Sequence, residues 1–248
     1  MKILSWNIWC DNKKPELAIN YIINSDADII CLQEISLEHL NYLKKLSSFN
    51  IVTAIDFYKI EKGIKIPYYL AILSKHKFIN TKIFELEKEK KGKFISALSK
   101  TETIRECIYV DIKYKKVNYR IFNVHFDCAT TPKSRLNQLK YTISLFDKGS
   151  KNIICGDFNS FGIFHINLAM SLAVKYKAKE IFKNEKKIFA KLFHENNLNN
   201  VFEKKMTYPK FALQLDYILL PIGTKLIEKE VIKKRYGSDH RSICAEIA

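Results

Sequence analysis

The chain has 248 residues, 47% of them hydrophobic, which is enough for one large domain with a generous core and too apolar for a disordered chain. Its 42 Lys+Arg against 26 Asp+Glu give a formal charge of +16, which favours polyanionic partners, nucleic acid or an acidic membrane surface. No stretch approaches the roughly 20 apolar residues of a membrane span, and no C-x-x-C pair marks a structural zinc site.

In chain order, the apolar run Lys2-Ile3-Leu4-Ser5-Trp6 ends in Asn7 and predicts a strand over 2–7. Pro15 starts a helix at a favoured position, with Leu17, Ala18, Tyr21 and Ile22 on one face. A strand over 28–33 runs into Glu34, ahead of a helix from Ser36. Strands follow over 51–56, 69–74, 78–85 and 94–99, with the Glu/Lys alternation around Gly92 as a solvated hairpin end. Two more cover 106–114 and 117–125, the second reading Arg120-Ile121-Phe122-Asn123-Val124 and ending in His125. A helix over about 132–146 places Leu136, Leu139, Ile143 and Phe146 at helical spacing. The strand 152–156 ends in Asp157, with Asn159 two residues on. A helical region over 163–196 sets Ile181, Phe182, Ile188, Phe189, Leu192 and Phe193 opposite lysines, as an outer helix of a globular domain does. Strands over 214–220, 225–232 and 242–247 close the chain, with Gly237-Ser238-Asp239-His240 before the last.

No Gly/Ser- or Pro-rich linker divides the sequence, so residues 1–248 read as one domain. Ile29-Ile30-Cys31 leading to Glu34 echoes Ile153-Ile154-Cys155 leading to Asp157, each after a helix-like segment. That shared strand–helix–strand logic points to two stacked sheets flanked by helices. Six scattered cysteines, several inside apolar runs, read as free buried thiols. Only five basic residues are arginine, the side chain suited to bidentate phosphate recognition. The charge therefore supports nucleic acid only weakly.

If the strands pack at similar depth, their ends bring Asn7, Glu34, His125, Asp157, Asn159, Asp216, Asp239 and His240 to one rim. A crowd of carboxylates stays ionised only with a cation among them, which predicts a metal-assisted hydrolytic site.

Ser-Trp-Asn, Leu-Gln-Glu, Asn-Val-His, Gly-Asp-Phe-Asn, Leu-Asp-Tyr-Ile and Ser-Asp-His occur in this order between residues 5 and 240. The set resembles the endonuclease/exonuclease/phosphatase superfamily. The resemblance implies a four-layer α/β sandwich, with two stacked, mostly antiparallel β-sheets flanked by helices. It also implies cleavage of phosphate esters with a divalent metal, Mg²⁺ or alternatively Mn²⁺. By the same resemblance Glu34 is the principal metal ligand, with Asn7 and Asp239 close by. Asp157 is the general base, and Asn159 holds a phosphate oxygen or that carboxylate. His240 contacts the scissile phosphate with Asp216 as its partner, and His125 is a second phosphate-facing histidine. Arg105, Tyr69 and Thr207 occupy places where relatives bind phosphate, set an aromatic against nucleic acid, or form a turn beside the site.

Ile8-Trp9-Cys10 and Ile35-Ser36 depart from the residues that exonuclease III-like apurinic endonucleases carry there, which disfavours abasic-site repair. His125-Phe126-Asp127 is closer to the deoxyribonuclease-like and tyrosyl-DNA phosphodiesterase-like branches. The expectation is a cytosolic, monomeric Mg²⁺-dependent phosphoesterase, foremost a nuclease or other nucleic-acid phosphodiesterase. The alternatives are a phosphatase or phospholipase C-like enzyme on lipid or small phosphoesters, and a dead scaffold used for binding.

Overall fold

The computed structural model describes residues 1–87, 101–162, Leu168, Ser171 and 182–248. One sheet contains β1 (Lys2–Asn7), β2 (Ile29–Ile35), β3 (Asn50–Glu61), β4 (Ile64–Ser74), β6 (Thr101–Thr103), β12 (Leu226–Val231) and β13 (Ile243–Ile247), in the order β12-β13-β1-β2-β4-β3-β6. The other contains β5 (Asn80–Glu85), β7 (Glu106–Tyr114), β8 (Val117–His125), β9 (Lys151–Asp157), β10 (Leu198–Asn200) and β11 (Asp216–Pro221), in the order β10-β11-β9-β8-β7-β5. The described helices are α1 (Pro15–Asn24), α2 (Leu37–Leu43), α3 (Pro132–Ser144) and α4 (Glu185–Glu195).

Alternation along the strands builds the layers, because successive side chains point to opposite faces. Ile3, Ile29, Cys31 and Ile72 point inward to meet Ile108, Val110, Ile121, Ile153 and Ile218 of the second sheet. Their neighbours Leu4, Trp6, Ile30, Leu32 and Leu73 point outward and are covered by Ala18, Ile19, Ile22, Leu40 and Leu43 of α1 and α2. On the far side Phe122, Val124, Ile154 and Tyr217 are covered by Leu139 of α3 and by Phe189 and Phe193 of α4. The result is the four-layer α/β sandwich that the resemblance implied.

The sequence echo is a real repeat of topology. β1 and β2 run parallel across α1, and β8 and β9 run parallel across α3. Parallel neighbours need such a crossover, whereas the other strand pairs are antiparallel. Between the sheets, Asn123 donates to the carbonyls of Leu32 and Ala71 at 2.9 and 2.8 Å and accepts from Gln33 Nε2 at 2.7 Å. This buried amide bridge fixes one sheet over the other directly behind the rim.

Several details differ from the sequence reading. Leu17 is 47% exposed, and the buried stripe of α1 is Ala18, Ile19 and Ile22. β3 and β4 extend well beyond 51–56 and 69–74 because their ladder continues through half-exposed residues such as Tyr58, Lys59 and Ile66. Thr101–Thr103 and Leu198–Asn200 form two further strands, each only three residues long. The expected strand over 94–99 and the part of the helical region before 182 lie outside the described residues, apart from Leu168 and Ser171. All six cysteines are free; Cys31, Cys107 and Cys155 are buried, and Cys128 is exposed. Among the described residues no helix is long and apolar enough to cross a membrane.

Candidate functional site

Strand register assembles the rim. His125 at the end of β8 lies beside Asp157 at the end of β9, and Asp216 at the start of β11 lies on its other side. Gly156 makes the approach of β8 to β9 feasible, since at its φ of 140° a Cβ would overlap the Val124 carbonyl. In the other sheet Asn7 and Gln33 are register partners, which sets Asn7 next to Glu34.

Two β-bulges then re-aim acids into the site, a recognised use of the extra residue. The pairing of β2 with β4 slips between Leu32 and Ile35, and Glu34 sits there with φ 57°. That of β3 with β4 slips between Ile55 and Phe57, and the extra residue is Asp56. Tyr69 is the β4 residue that borders both bulges, paired with Ile35 on one side and Ile55 on the other. Arg105 and Asn159 also adopt left-handed backbone, at φ 56° and 48°, so three site residues hold conformations that only a rigid surround sustains.

Asp157 Oδ2 is the focus. Asn7 Nδ2 donates to it at 3.1 Å, and the Nε2 atoms of His125 and His240 each stand 3.8 Å away. Those imidazoles are too far for direct hydrogen bonds and leave room for a reacting atom between them. The other oxygen, Oδ1, accepts from the Asn159 backbone N–H at 2.8 Å. Burial pushes the Asp157 carboxyl up to about 6, with the His240 charge opposing and Asp216 adding to the rise.

Each imidazole is held from behind. His240 Nδ1 lies 2.9 Å from Asp216 Oδ2. Burial disfavours the imidazolium, but the carboxylates of Asp216 and Asp157 outweigh it and lift the pKa to about 10. His125 Nδ1 lies 2.6 Å from Asp56 Oδ2, while Arg105 Nη1 donates to Asp56 Oδ1 at 2.6 Å. The arginine nitrogen is also 3.0 Å from His125 Nδ1. Since the guanidinium can only donate, the proton on Nδ1 belongs to the Asp56 contact and Nε2 faces the rim. Burial raises the cost of ionising Asp56, yet His125 and Arg105 hold its carboxyl below the ordinary range.

Glu34 and Asp239 form the acidic side of the site. Glu34 accepts from Asn7 Nδ2 and from the Cys10 backbone N–H, both at 2.9 Å, and its Oε1 is 3.8 Å from His125 Nε2. Burial raises the Asp239 carboxyl, the His240 charge opposes this, and Glu34 adds to the rise. Asp239 Oδ1 is buried without a hydrogen-bond partner. Two carboxylates that repel one another, one with an orphaned oxygen, fit a hard divalent cation. Asp157, Asp216 and His240 also bring ligand atoms within 4.8 Å of one another. Asp216 Oδ1 is likewise buried without a partner, and His240 Nε2 lies 3.9 Å from Asp239 Oδ1, so both groups of acids offer oxygen ligands beside the same imidazole.

The other expected residues fall as follows. Asn7 turns its amide nitrogen to Glu34 and Asp157 and its oxygen to the Trp9 N–H at 2.9 Å. In this arrangement it joins the two carboxylates. The Asn159 amide donates to the Phe126 carbonyl at 2.9 Å, and its backbone, not its side chain, touches Asp157. Thr207 is fully buried, with Oγ1 accepting from the N–H groups of Leu215 and Asp216 at 3.0 and 3.1 Å, so it fixes the start of β11. Arg105 is enclosed against Asp56, and Tyr69 is half-buried against the cluster under α1 and α2. The aromatic ring beside the imidazole is Tyr208, 4.8 Å from that of His240.

The endonuclease/exonuclease/phosphatase family model matches residues 4–240. No curated protein matches the chain by sequence. Among solved structures, an endonuclease/exonuclease/phosphatase from Beutenbergia cavernae is similar over all of this chain and 71% of its own, with a TM-score of 0.73 and 12% identity. D. rerio TDP2 complexed with single strand DNA product is similar over all of this chain and 98% of its own, with a TM-score of 0.63 and 16% identity. The human Nocturnin catalytic domain with bound sulfate is similar over all of this chain and 93% of its own, with a TM-score of 0.67 and 16% identity. At such identities the likeness is one of fold.

Proposed function

The chain belongs to the endonuclease/exonuclease/phosphatase family, and we propose that it is a Mg²⁺-dependent phosphodiesterase whose substrate is nucleic acid. The observation that carries this reading is the convergence of Asn7 and two acid-backed imidazoles on one oxygen of Asp157. Glu34 and Asp239 would hold the cation. When bound, it would supply a Lewis acid to a phosphoryl oxygen.

The chain's own groups do the rest. Asp157, oriented by Asn7 and by the Asn159 N–H, takes a proton from the attacking water as its oxygen bonds to phosphorus. The ester P–O bond opposite breaks, and the His240 imidazolium, held by Asp216, gives its Nε2 proton to the leaving oxygen. His125, whose pKa Asp56 raises against the cost of burial, acts as the imidazolium: Nδ1–H is held by Asp56 and Nε2–H donates to a nonbridging oxygen, stabilising charge that grows there.

Nucleic acid is favoured by the formal charge of +16 and by the fold shared with a TDP2 structure that holds a single-strand DNA product. The test is turnover of plasmid DNA, single-stranded oligonucleotides, RNA, sphingomyelin and inositol phosphates, with Asp157→Asn as control. Cleavage of a nucleic acid by wild type alone supports the proposal. Turnover confined to sphingomyelin or inositol phosphates would move the protein to the lipid or small-phosphoester alternative, and no turnover at all to the binding scaffold.

A further inference from the structure

Next to His240 the chain builds a two-ring aromatic step. The Tyr208 ring is 4.8 Å from the imidazole, and the Phe211 ring is 5.9 Å beyond it. Tyr208 is half-buried, whereas Phe211 is 56% exposed.

This exposure is built in. Tyr208 and Leu213 exchange backbone hydrogen bonds at 2.9 and 3.0 Å, closing a tight loop. Pro209–Phe211 form a single 3-10 turn, ended by Ala212 at φ 54°. Underneath, Leu213 and Leu215 pack with Phe161, and Thr207 ties the loop to β11. The turn holds Phe211 outward, and Lys210 Nζ stands 5.7 Å from its ring centre.

We propose that Tyr208 and Phe211 form a stacking platform for a nucleobase next to the scissile phosphate, with Lys210 near the adjoining phosphate. The preferred substrate is then single-stranded nucleic acid. This rests on the phosphodiesterase reading and makes it specific. Bases inside a duplex stack on one another, so a protein ring can take only a base with a free face. Every base has such a face, so the platform tolerates sequence while selecting strandedness.

The test uses the full chain as wild type, Phe211→Ala and Phe211→Trp. Binding is read with EDTA present, by fluorescence of a single-stranded oligodeoxythymidine carrying one 2-aminopurine. Turnover is read with Mg²⁺ on methyl 4-nitrophenyl phosphate, a diester without a base. Phe211→Ala should weaken binding of the oligonucleotide roughly 5-fold or more, from the usual worth of one stacked base, and Phe211→Trp should restore it. Both variants should keep wild-type turnover of the methyl diester. Unchanged binding by Phe211→Ala, or duplex bound as tightly as single strand, would overturn the proposal. So would an equal loss on the methyl diester, or Phe211-dependent binding to phosphatidylcholine vesicles in place of the oligonucleotide. The binding arm needs no turnover, so an inactive wild type would count against the phosphodiesterase reading alone and leave the platform to be judged by fluorescence.

Discussion

His240 Nδ1 lies 2.9 Å from Asp216 Oδ2, and strand pairing puts Asp216 directly beside Asp157. One carboxylate thus sustains the imidazolium while the neighbouring one, separated from its Nε2 by 3.8 Å, faces the reacting atoms. Asp216→Asn removes the charge that holds His240 protonated. Steady-state kinetics should show kcat reduced about 100-fold or more, with little change in KM. A mutant with wild-type kcat would remove His240 from the acid role.

The same two groups set a pH profile. Asp157 acts ionised, and its carboxyl is raised to about 6; His240 acts protonated, with its pKa at about 10. The free-enzyme profile of kcat/KM should rise through about 6 and fall through about 10. For stability the sign follows from the raised histidine. Its contribution is complete below the ordinary 6.5 and is lost as pH climbs through about 10. In Asp216→Asn the alkaline limb should move down toward the ordinary histidine value, and a limb that stays in place would contradict the pairing.

Asp56 is fully buried between Arg105 and His125. Removing its charge leaves Arg105 enclosed without its principal partner, a change that costs about 3–5 kcal/mol in comparable buried pairs. Asp56→Asn should shift the urea midpoint accordingly and lower activity as well. Because the Asp56 carboxyl is depressed, its contribution is present above the unfolded-state value of about 3.9 and disappears as pH falls through the lower folded value. Wild type should therefore lose more stability than Asp56→Asn on going from neutral to strongly acidic pH.

The amide bridge offers a purely structural counterpart. Asn123→Ala takes the side-chain donor from the buried carbonyls of Leu32 and Ala71 and leaves the Gln33 amide nitrogen only the Cys31 carbonyl, 3.2 Å away. A loss of about 3 kcal/mol in denaturant unfolding is expected. Activity per folded molecule should fall too, since the bridge sets the two halves of the rim at one depth.

The rim was legible because Asn7, Glu34, His125 and Asp157 end or follow apolar runs, Asp216 opens one and Asp239 and His240 precede the last, and strand ends are where a sheet presents side chains to solvent. Asp56 was not. It lies inside Ala54-Ile55-Asp56-Phe57, where alternation makes an acid look like an outward strand residue, and only the bulge at Ile55/Phe57 turns it inward. Tyr69 is near the site in sequence terms but lies between the bulges, half-buried, while Tyr208 reaches His240 from a distant turn. The full lengths of β3 and β4 were missed because the pattern fades where the hairpin becomes exposed, at Glu61 and Ile64.

The central claim is hydrolysis of a phosphodiester at an acidic rim that requires a divalent cation. Its most direct measurement is cleavage of a single-stranded oligonucleotide by wild type and Glu34→Gln after dialysis against EDTA, with Mg²⁺ then titrated back. Wild type should be inactive after dialysis and recover saturably with Mg²⁺, while Glu34→Gln should need far more Mg²⁺ or stay inactive. Full activity of the EDTA-dialysed wild type, or the same Mg²⁺ dependence in both proteins, would contradict the assignment of Glu34 and the metal-dependent chemistry built on it.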